Sequence, residues 1–338
     1  MALISVVVPV YNEQECLKEL LSRLLALAGS AADQFEFIFV DDGSTDRSRE
    51  ILLEFSKDRP NVKHLFFSRN FGHEAATTAG VDHASGDAVV IIDSDLQDPP
   101  EIIPALIQKW REGNQIVYAQ RRGRQGEGPI KRLSAWLFYR IIRRMSEVEI
   151  PPDTGDFRLI DRCVAQQFRR CREQSRFVRG LIAWAGFKQA AVLYDRNHRY
   201  AGHTKYNLFK LLVLAMDAML GFSIKPLRFG MLLGMLVMLL SLVMGLVVVA
   251  QKVFYGMPFH GYALLASGVF FLGGVQIFLI GLVGEYIGRI YRQTQQRPLY
   301  VVARKSPSLP AAPEGFANAN GMNLASREPP QEAFSQDL

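Results

Sequence analysis

Four short apolar runs recur in the N-terminal part of the chain: 4–10 (ISVVVPV), 35–41 (FEFIFVD), 62–67 (VKHLFF) and 88–93 (AVVIID). Their apolar character is continuous rather than alternating, which marks strands buried on both faces, as in parallel sheets. Helical spacing fills the gaps. Leu17, Leu20, Leu21, Leu24 and Leu25 follow Asn12, which suits an N-cap. Ile51, Leu52 and Phe55 follow Ser44 and Thr45, either of which can cap a second helix. A third helix, from about Glu74 to Ala84, stops at Ser85-Gly86. Alternating strand and helix predict a doubly wound, Rossmann-like α/β domain. Ligands in such sheets bind beyond the carboxyl ends of the strands. Tyr11-Asn12-Glu13, Asp41-Asp42-Gly43-Ser44 and Asp93-Ser94-Asp95 stand at those ends.

The pattern changes in the last third. No charged residue occurs from Phe229 to Gln251, nor from Val253 to Gly284. Each run exceeds the roughly 20 apolar residues that cross a bilayer core. Tyr255-Gly256-Met257-Pro258 provides a turn between them, so a membrane hairpin is predicted. Lys225 and Arg228 precede the first span; Arg289, Arg292, Arg297, Arg304 and Lys305 follow the second, and only Lys252 lies between. By the positive-inside rule both ends of the hairpin face the cytosol. Residues 205–222 combine Lys205 and Lys210 with Phe209, Leu212 and Met216, a pattern suited to a helix lying along the membrane. The expected organisation is a catalytic domain over 1–204 and amphipathic helices over 205–226. Spans at 227–251 and 262–285 flank an external loop at 252–261. A basic segment over 286–305 precedes a polar, disordered tail over 306–338.

Charge narrows the partners. A formal net charge of +6 fits nucleic acid or an anionic surface. No zinc-ligand spacing or stacking aromatic motif accompanies the basic cluster at 121–144, so nucleic acid is disfavoured and a lipid or nucleotide phosphate fits better. Cys16, Cys163 and Cys171 make no disulfide framework, which suits a reducing compartment. The opening Leu3–Val8 run lacks a signal peptide's basic flank and cleavage site, so the N-terminal domain is expected to stay in the cytosol.

The strongest chemical signal is Asp93-Ser94-Asp95-Leu96-Gln97-Asp98-Pro99-Pro100 at a strand end. A diphosphate with a divalent cation needs hard oxygen ligands close together, and an Asp-x-Asp pair supplies them. Val8-Pro9-Val10-Tyr11-Asn12-Glu13, Val40-Asp41-Asp42-Gly43-Ser44-Thr45-Asp46, Ser68-Arg69-Asn70-Phe71-Gly72 and this acidic segment occur in that order. Together with Asp153-Thr154-Gly155-Asp156-Phe157-Arg158, Arg199-x-x-Gly202-x-Thr204-Lys205-Tyr206 and the two-span tail, they resemble family 2 glycosyltransferases of the polyprenyl-phosphate type, over about residues 4 to 300. His203 departs from the pattern, standing where an acidic residue would precede the Thr-Lys-Tyr.

The resemblance implies a GT-A fold and inverting transfer of a hexose to polyprenyl phosphate at the cytosolic face of the inner membrane. Glucose from UDP-glucose is the expected donor; GDP-mannose, UDP-GlcNAc and an aminoarabinose donor stay open. It further implies that Pro9, Tyr11, Glu13, Asp42 and Asp93 bind the nucleotide sugar and that Asp95 with Gln97 holds Mg²⁺ or Mn²⁺. Asp156 is the implied base, with Asp153 second; an acceptor phosphate with a second pKa near 6 is already mostly dianionic at neutral pH, so a role for Asp156 in orienting the acceptor or stabilising charge at the anomeric carbon stays open. Asp41 serves equally as turn former or ligand, and Asn12 is expected to cap. Lys131, Arg132 and Ser134, at the start of a predicted helix, suit the acceptor phosphate, as do Arg158, Arg199 and Lys205. Gly230, Gly234, Gly273 and Gly274 permit close helix contacts and a homo-oligomer. Two readings are set aside. A scaffold or small transporter lacks an intramembrane ionisable pair, and a dinucleotide oxidoreductase lacks the glycine fingerprint after the first strand.

Overall fold

The computed structural model describes residues 1–122, 154–174, 176–195, 225–255 and 261–310. Lys131, Arg132, Ser134, Asp153, Arg199, Lys205 and His203 lie outside them. So do the amphipathic stretch at 205–224, residues 256–260 of the hairpin loop and the tail beyond 310.

The apolar runs form the centre of one sheet. β1 (Leu3–Val10), β2 (Gln34–Asp41), β3 (Val62–Phe67) and β4 (Ala88–Ile91) are mutually parallel, with β1 between β2 and β4. The helices between them are α1 (Leu17–Ser30), α2 (Ser48–Lys57) and α3 (His73–His83). α1 buries Leu17, Leu20, Leu21, Leu24 and Leu27, each stabilising the fold by about 2 kcal/mol. α3 lies close on the other face: a Cβ at Gly80 would fall 2.1 Å from Val7 Cγ1. The two layers divide β2 by its period of two. Phe37 and Phe39 join the α1 side, whereas Ile38 and Val40 join the α3 side.

Beyond β4 the sheet departs from the doubly wound expectation. A 3₁₀ turn (Pro100–Ile102) and α4 (Ile103–Arg111) lead to β5 (Ile116–Arg121). β6 (Thr154–Asp161) then inserts antiparallel between β4 and β5. α5 (Arg162–Arg170) follows, capped by Asp161 accepting the Cys163 amide. After α6 (Val178–Trp184), β7 (Gln189–Tyr194) pairs parallel with β5 at one edge.

α7 (Lys225–Tyr255) and α8 (Tyr262–Thr294) contain the apolar windows Leu227–Val247 and Phe271–Thr294, with mean hydropathy 2.5 and 1.6. A helix of that length runs about 45–50 Å, longer than a bilayer core of about 30 Å. Helix therefore continues through Thr294, past the expected end at 285. A Cβ at Gly230 would meet Leu279 Cδ2 at 2.8 Å, so this glycine serves packing within the hairpin; at Gly234, Gly273 and Gly274 a Cβ would meet nothing within 4 Å among the described residues.

The segment expected to be merely basic and then disordered returns to the sheet. β8 (Val302–Lys305) pairs antiparallel with β3, completing the order β7-β5-β6-β4-β1-β2-β3-β8. The Ser306 amide donates to the His64 carbonyl (2.9 Å), the His64 amide donates to Ser306 Oγ (2.9 Å), and Leu309 is buried. The physical reason is the β3 edge: its open backbone groups need a partner, and Tyr300 stacks on Phe67 at 5.1 Å beside it.

Candidate active site at the carboxyl ends of the strands

The turns after β1 and β2 are fastened to each other. The Asn12 amide (φ 53°) donates to Ser44 Oγ (3.0 Å), while the Thr45 amide donates to Asn12 Oδ1 (2.8 Å). The Glu13 amide donates to Ser48 Oγ (3.1 Å). Asn12 is therefore not the cap of α1. That position is Cys16, and the Glu13 carbonyl accepts the Cys16 and Leu17 amides (3.0 and 3.2 Å). Nor do Ser44 and Thr45 cap α2, whose Ser48 amide donates to Asp46 (3.0 Å). Asp41, fully buried, accepts the Ser44 amide and Arg49 Nε (2.6 Å), while Arg49 Nη2 also donates to the Phe67 carbonyl (2.8 Å). Asp41 thus fastens the turn after β2.

Asp42 is 3% exposed and accepts the amides of Phe71 (2.6 Å) and Gly72 (2.9 Å). Burial raises its pKa in spite of those two donors. The carboxylate implied to hold the nucleoside is thus engaged with the loop after β3. Gly43 (φ 74°) lies against the same loop, where a Cβ would sit 2.5 Å from Arg69 C and Asn70 N. Pro9 is buried within β1 opposite Val40. Tyr11 is exposed at the strand end, and Glu13 is half-buried. Glu13 and Asp95 both flank the Cys16 thiol, whose pKa burial and these neighbours push up to about 11.

A charged layer lies beside this turn pair. β4 and β6 run antiparallel with Ile91 opposite Arg158, and two further steps of that register bring Asp93 against Asp156. His73 Nε2, at the start of α3, is 3.6 Å from Asp93 Oδ1 and 3.4 Å from Asp156 Oδ2. Arg179, on α6, donates to both Asp156 oxygens, Nε to Oδ1 at 2.6 Å and Nη2 to Oδ2 at 2.8 Å. The Val178 amide donates to Glu74 Oε2 (2.9 Å). Among the described residues no hydrogen-bond donor reaches the buried Asp93 Oδ1.

Burial and charge drive these groups apart in pKa. Burial, opposed by His73 and reinforced by Asp156, pushes Asp93 up to about 7. Burial would raise Asp156 too, but the Arg179 fork and His73 hold it well below the usual carboxylate range. Burial would lower His73; its hydrogen bond to Asp156 and the charge of Asp93 overcome this and raise it to about 9.

Arg158 is 5% exposed and donates from Nη2 to the Gly155 carbonyl (2.8 Å), with burial lowering its pKa to about 10. It sits within the protein next to Asp156 rather than on an open surface awaiting a phosphate. Asp95 Oδ1 accepts the Gln97 amide (3.1 Å) around Leu96, whose φ is 58°. Asp98, fully buried, accepts the Tyr194 hydroxyl. His73 and Arg179 were not anticipated. His73 directly follows the Ser68–Gly72 motif, which offered a hint; Arg179 is brought to Asp156 only by the packing of α6.

The matched families agree with this architecture. Residues 5–169 match the Glycosyl transferase family 2 model, and residues 225–290 match the GtrB C-terminal hairpin. The uncharacterized glycosyltransferase sll0501 of Synechocystis sp. is 45% identical over 300 residues, covering 89% of this chain and 94% of its own. The bactoprenol glucosyl transferase of Shigella phage SfV is 40% identical over 299 residues, covering 88% and 97%. The crystal structure of glucosyl-3-phosphoglycerate synthase from Mycobacterium tuberculosis, with phosphoglyceric acid, aligns with 24% identity and a TM-score of 0.43, covering 65% and 78%. A mixed α/β sheet of the GT-A type, with carboxylates gathered at its strand ends, defines a glycosyltransferase. This chain belongs to the family 2 glycosyltransferases. Its apolar helices and hairpin match mark it as membrane-associated.

Proposed function

We propose that this enzyme transfers glucose from UDP-glucose to a polyprenyl phosphate, undecaprenyl phosphate in a bacterium, at the cytosolic face of the inner membrane. The observation that carries this reading is the extent of the similarity. The chain is 40% identical to a bactoprenol glucosyl transferase over 299 residues, 88% of its length, a span that takes in both the sheet and the hairpin. A catalytic domain whose acceptor is lipid-linked needs a membrane anchor, and α7 and α8 supply it. Among the described residues nothing lies within 4 Å of a Cβ at Gly234, Gly273 or Gly274, which suits close approach of a second copy in a homo-oligomer.

In the proposed reaction an oxygen of the acceptor phosphate bonds to the anomeric carbon as the carbon–oxygen bond to UDP breaks. The configuration inverts and UDP departs. The acceptor's second pKa is near 6, so at neutral pH it is mostly a dianion and needs no deprotonation. Asp156, held far below that value, would be a poor base for it. Its role is to orient the acceptor and to stabilise positive charge developing on the sugar. Tyr11, Glu13 and Asp93 line the nucleotide side, with Asp42 holding the loop that closes it.

The donor set fits a divalent cation. Asp93, Asp95 and Asp156 offer hard oxygens, Asp93 Oδ1 is buried without a hydrogen-bond donor among the described residues, and His73, Asp93 and Asp156 present ligand atoms within 4.8 Å of one another. Because Arg179 already occupies Asp156, Asp95 with Gln97 is the better holder of Mg²⁺ or Mn²⁺. When bound, the ion neutralises the diphosphate and stabilises the leaving nucleoside diphosphate. The test is turnover of the purified protein in lipid nanodiscs with undecaprenyl phosphate and UDP-glucose, read by mass spectrometry. Glucosyl-phosphoryl-undecaprenol is expected. Transfer from GDP-mannose, UDP-GlcNAc or an aminoarabinose donor, but not UDP-glucose, would replace the sugar assignment.

A further inference from the structure

The end of α8 grips the chain segment that leads to Arg179. The Gln174 amide donates to Gln293 Oε1 (2.8 Å), and Gln174 Nε2 donates to the Arg297 carbonyl (2.5 Å). Gln293 Nε2 returns a bond to the Arg172 carbonyl (3.1 Å). Arg172 forms a two-bond ion pair with Asp82 (3.0 and 2.9 Å), and Asp82 also accepts the Tyr300 hydroxyl (2.9 Å). Asp82 stands near the end of α3, the helix that begins at His73. From Gln174 the chain needs only five residues, at most about 18 Å of extended backbone, to reach Arg179. There the Val178 amide is fixed on Glu74 and Arg179 forks onto Asp156. One segment is therefore held at one end by the second span and at the other by the active site.

We propose that Gln293 and Gln174 are positioning residues for Asp156: docking of the second span on Gln174 sets the Arg179 fork, so catalytic competence depends on the hairpin being seated. This rests on the reading of Asp156 as the group that acts on the transferring sugar. The physical warrant is the fork. Two parallel N–H···O bonds to one carboxylate tolerate little displacement of the guanidinium. A misplacement of about 1 Å in a reacting constellation costs up to about 100-fold in rate.

The test uses the full chain in lipid nanodiscs. Gln293→Leu removes both bonds made by that side chain. It is expected to lower kcat by about 10- to 100-fold while leaving the KM for UDP-glucose within about twofold, because the nucleotide turn is fastened elsewhere. Gln293→Glu keeps the acceptor for the Gln174 amide and should recover part of the loss. In an Arg179→Lys background, which keeps the charge but not the fork, Gln293→Leu should cost nothing further. Losses that multiply across the two sites overturn the proposal. So does a loss seen with undecaprenyl phosphate but not with a short, water-soluble prenyl phosphate, which would make the junction a height setter only. Exchange of the Val178 amide, expected to quicken in Gln293→Leu, reads the coupling without substrate. Unchanged exchange counts against it, whereas a wild type inactive with every acceptor counts against the proposed function alone.

Discussion

Replacing Asp156 by Asn tests the central electrostatic claim. The substitution keeps an oxygen for Arg179 but removes a buried negative charge. A full positive charge about 4 Å from that carboxylate gains about 4 kcal/mol at an effective dielectric constant near 20, and half a charge gains about 2 kcal/mol. The expected loss in kcat is therefore about 30- to 1000-fold. General-base catalysis contributes a similar factor, about 10²–10⁴, so magnitude alone does not separate the two. The pH profile does. Asp156, held well below the usual carboxylate range, stays ionised above about pH 5 and adds no ionisation to the neutral window. The acceptor phosphate, with its second pKa near 6, supplies a rise there, which the variant should retain with the KM for the donor little changed; Asp93, at about 7, titrates beside it, and losing the Asp156 charge moves that ionisation to lower pH. On the alkaline side the sign is also fixed. His73 is raised to about 9 mainly by Asp156 and Asp93 working against burial. Losing Asp156 moves its deprotonation, and any decline linked to it, to lower pH. The assay is kcat from pH 5.5 to 9.5 at saturating substrates, with chemistry shown to limit the rate. A variant whose rate is flat through pH 6 would refute the argument, and loss of donor binding would move Asp156 to the nucleotide site.

Three further outcomes are expected. Asp95→Asn should remove most activity, and excess chelator should do the same to the wild type; full turnover in either case would end the metal assignment. Gly43→Ala places a Cβ 2.5 Å from the Arg69 and Asn70 backbone at φ 74°, so it should destabilise the domain by about 3 kcal/mol, and an unchanged melting temperature would contradict the account of that turn. In intact cells Gly261→Cys should react with an impermeant thiol reagent while Gln296→Cys should not; the reverse labelling would put the catalytic domain outside.

What could be read from the sequence is what the chain encodes locally. The four parallel strands announce themselves because both faces of each are covered, and β1 to β3 match their apolar runs to within one residue. β6 does not. Arg158 interrupts its apolar character, and that charge is tolerated only because Gly155 and the surrounding carboxylates receive it. β8 reads Val-Ala-Arg-Lys, an exposed edge strand with no period to detect, and Ser306 and Leu309 are single buried residues in polar company. Motif order singled out Asp93 and Asp156 as candidate site residues. Their apposition follows from an antiparallel register between strands more than sixty positions apart, which no local pattern carries. Arg179 is further removed still, because its place depends on α6 packing over α3.

The two sides of the proposed site are built differently, and this bears on what each can do. The proposed nucleotide side is made of neighbouring turns joined largely by backbone amides: Asn12 to Ser44, Thr45 to Asn12, Phe71 and Gly72 to Asp42. Such bonds leave little side-chain freedom and suit a part of the donor that must simply be held. The proposed reacting side, with which the nucleotide side shares Asp93, is made of side chains from the end of β4, β6, α3 and α6, with His73, Arg158 and Arg179 set against Glu74, Asp93 and Asp156. Asp93, pushed up to about 7 by burial and by the Asp156, Asp98 and Asp95 carboxylates against the opposing charge of His73, carries only part of its charge at neutral pH. Burial raises Glu74 as well. On the proposed reading two anionic reactants meet beside this layer, and a carboxylate that gives up part of its charge lessens the repulsion they face. Asp156 keeps its charge because one arginine is committed to it, which on the same reading preserves a negative group for the sugar.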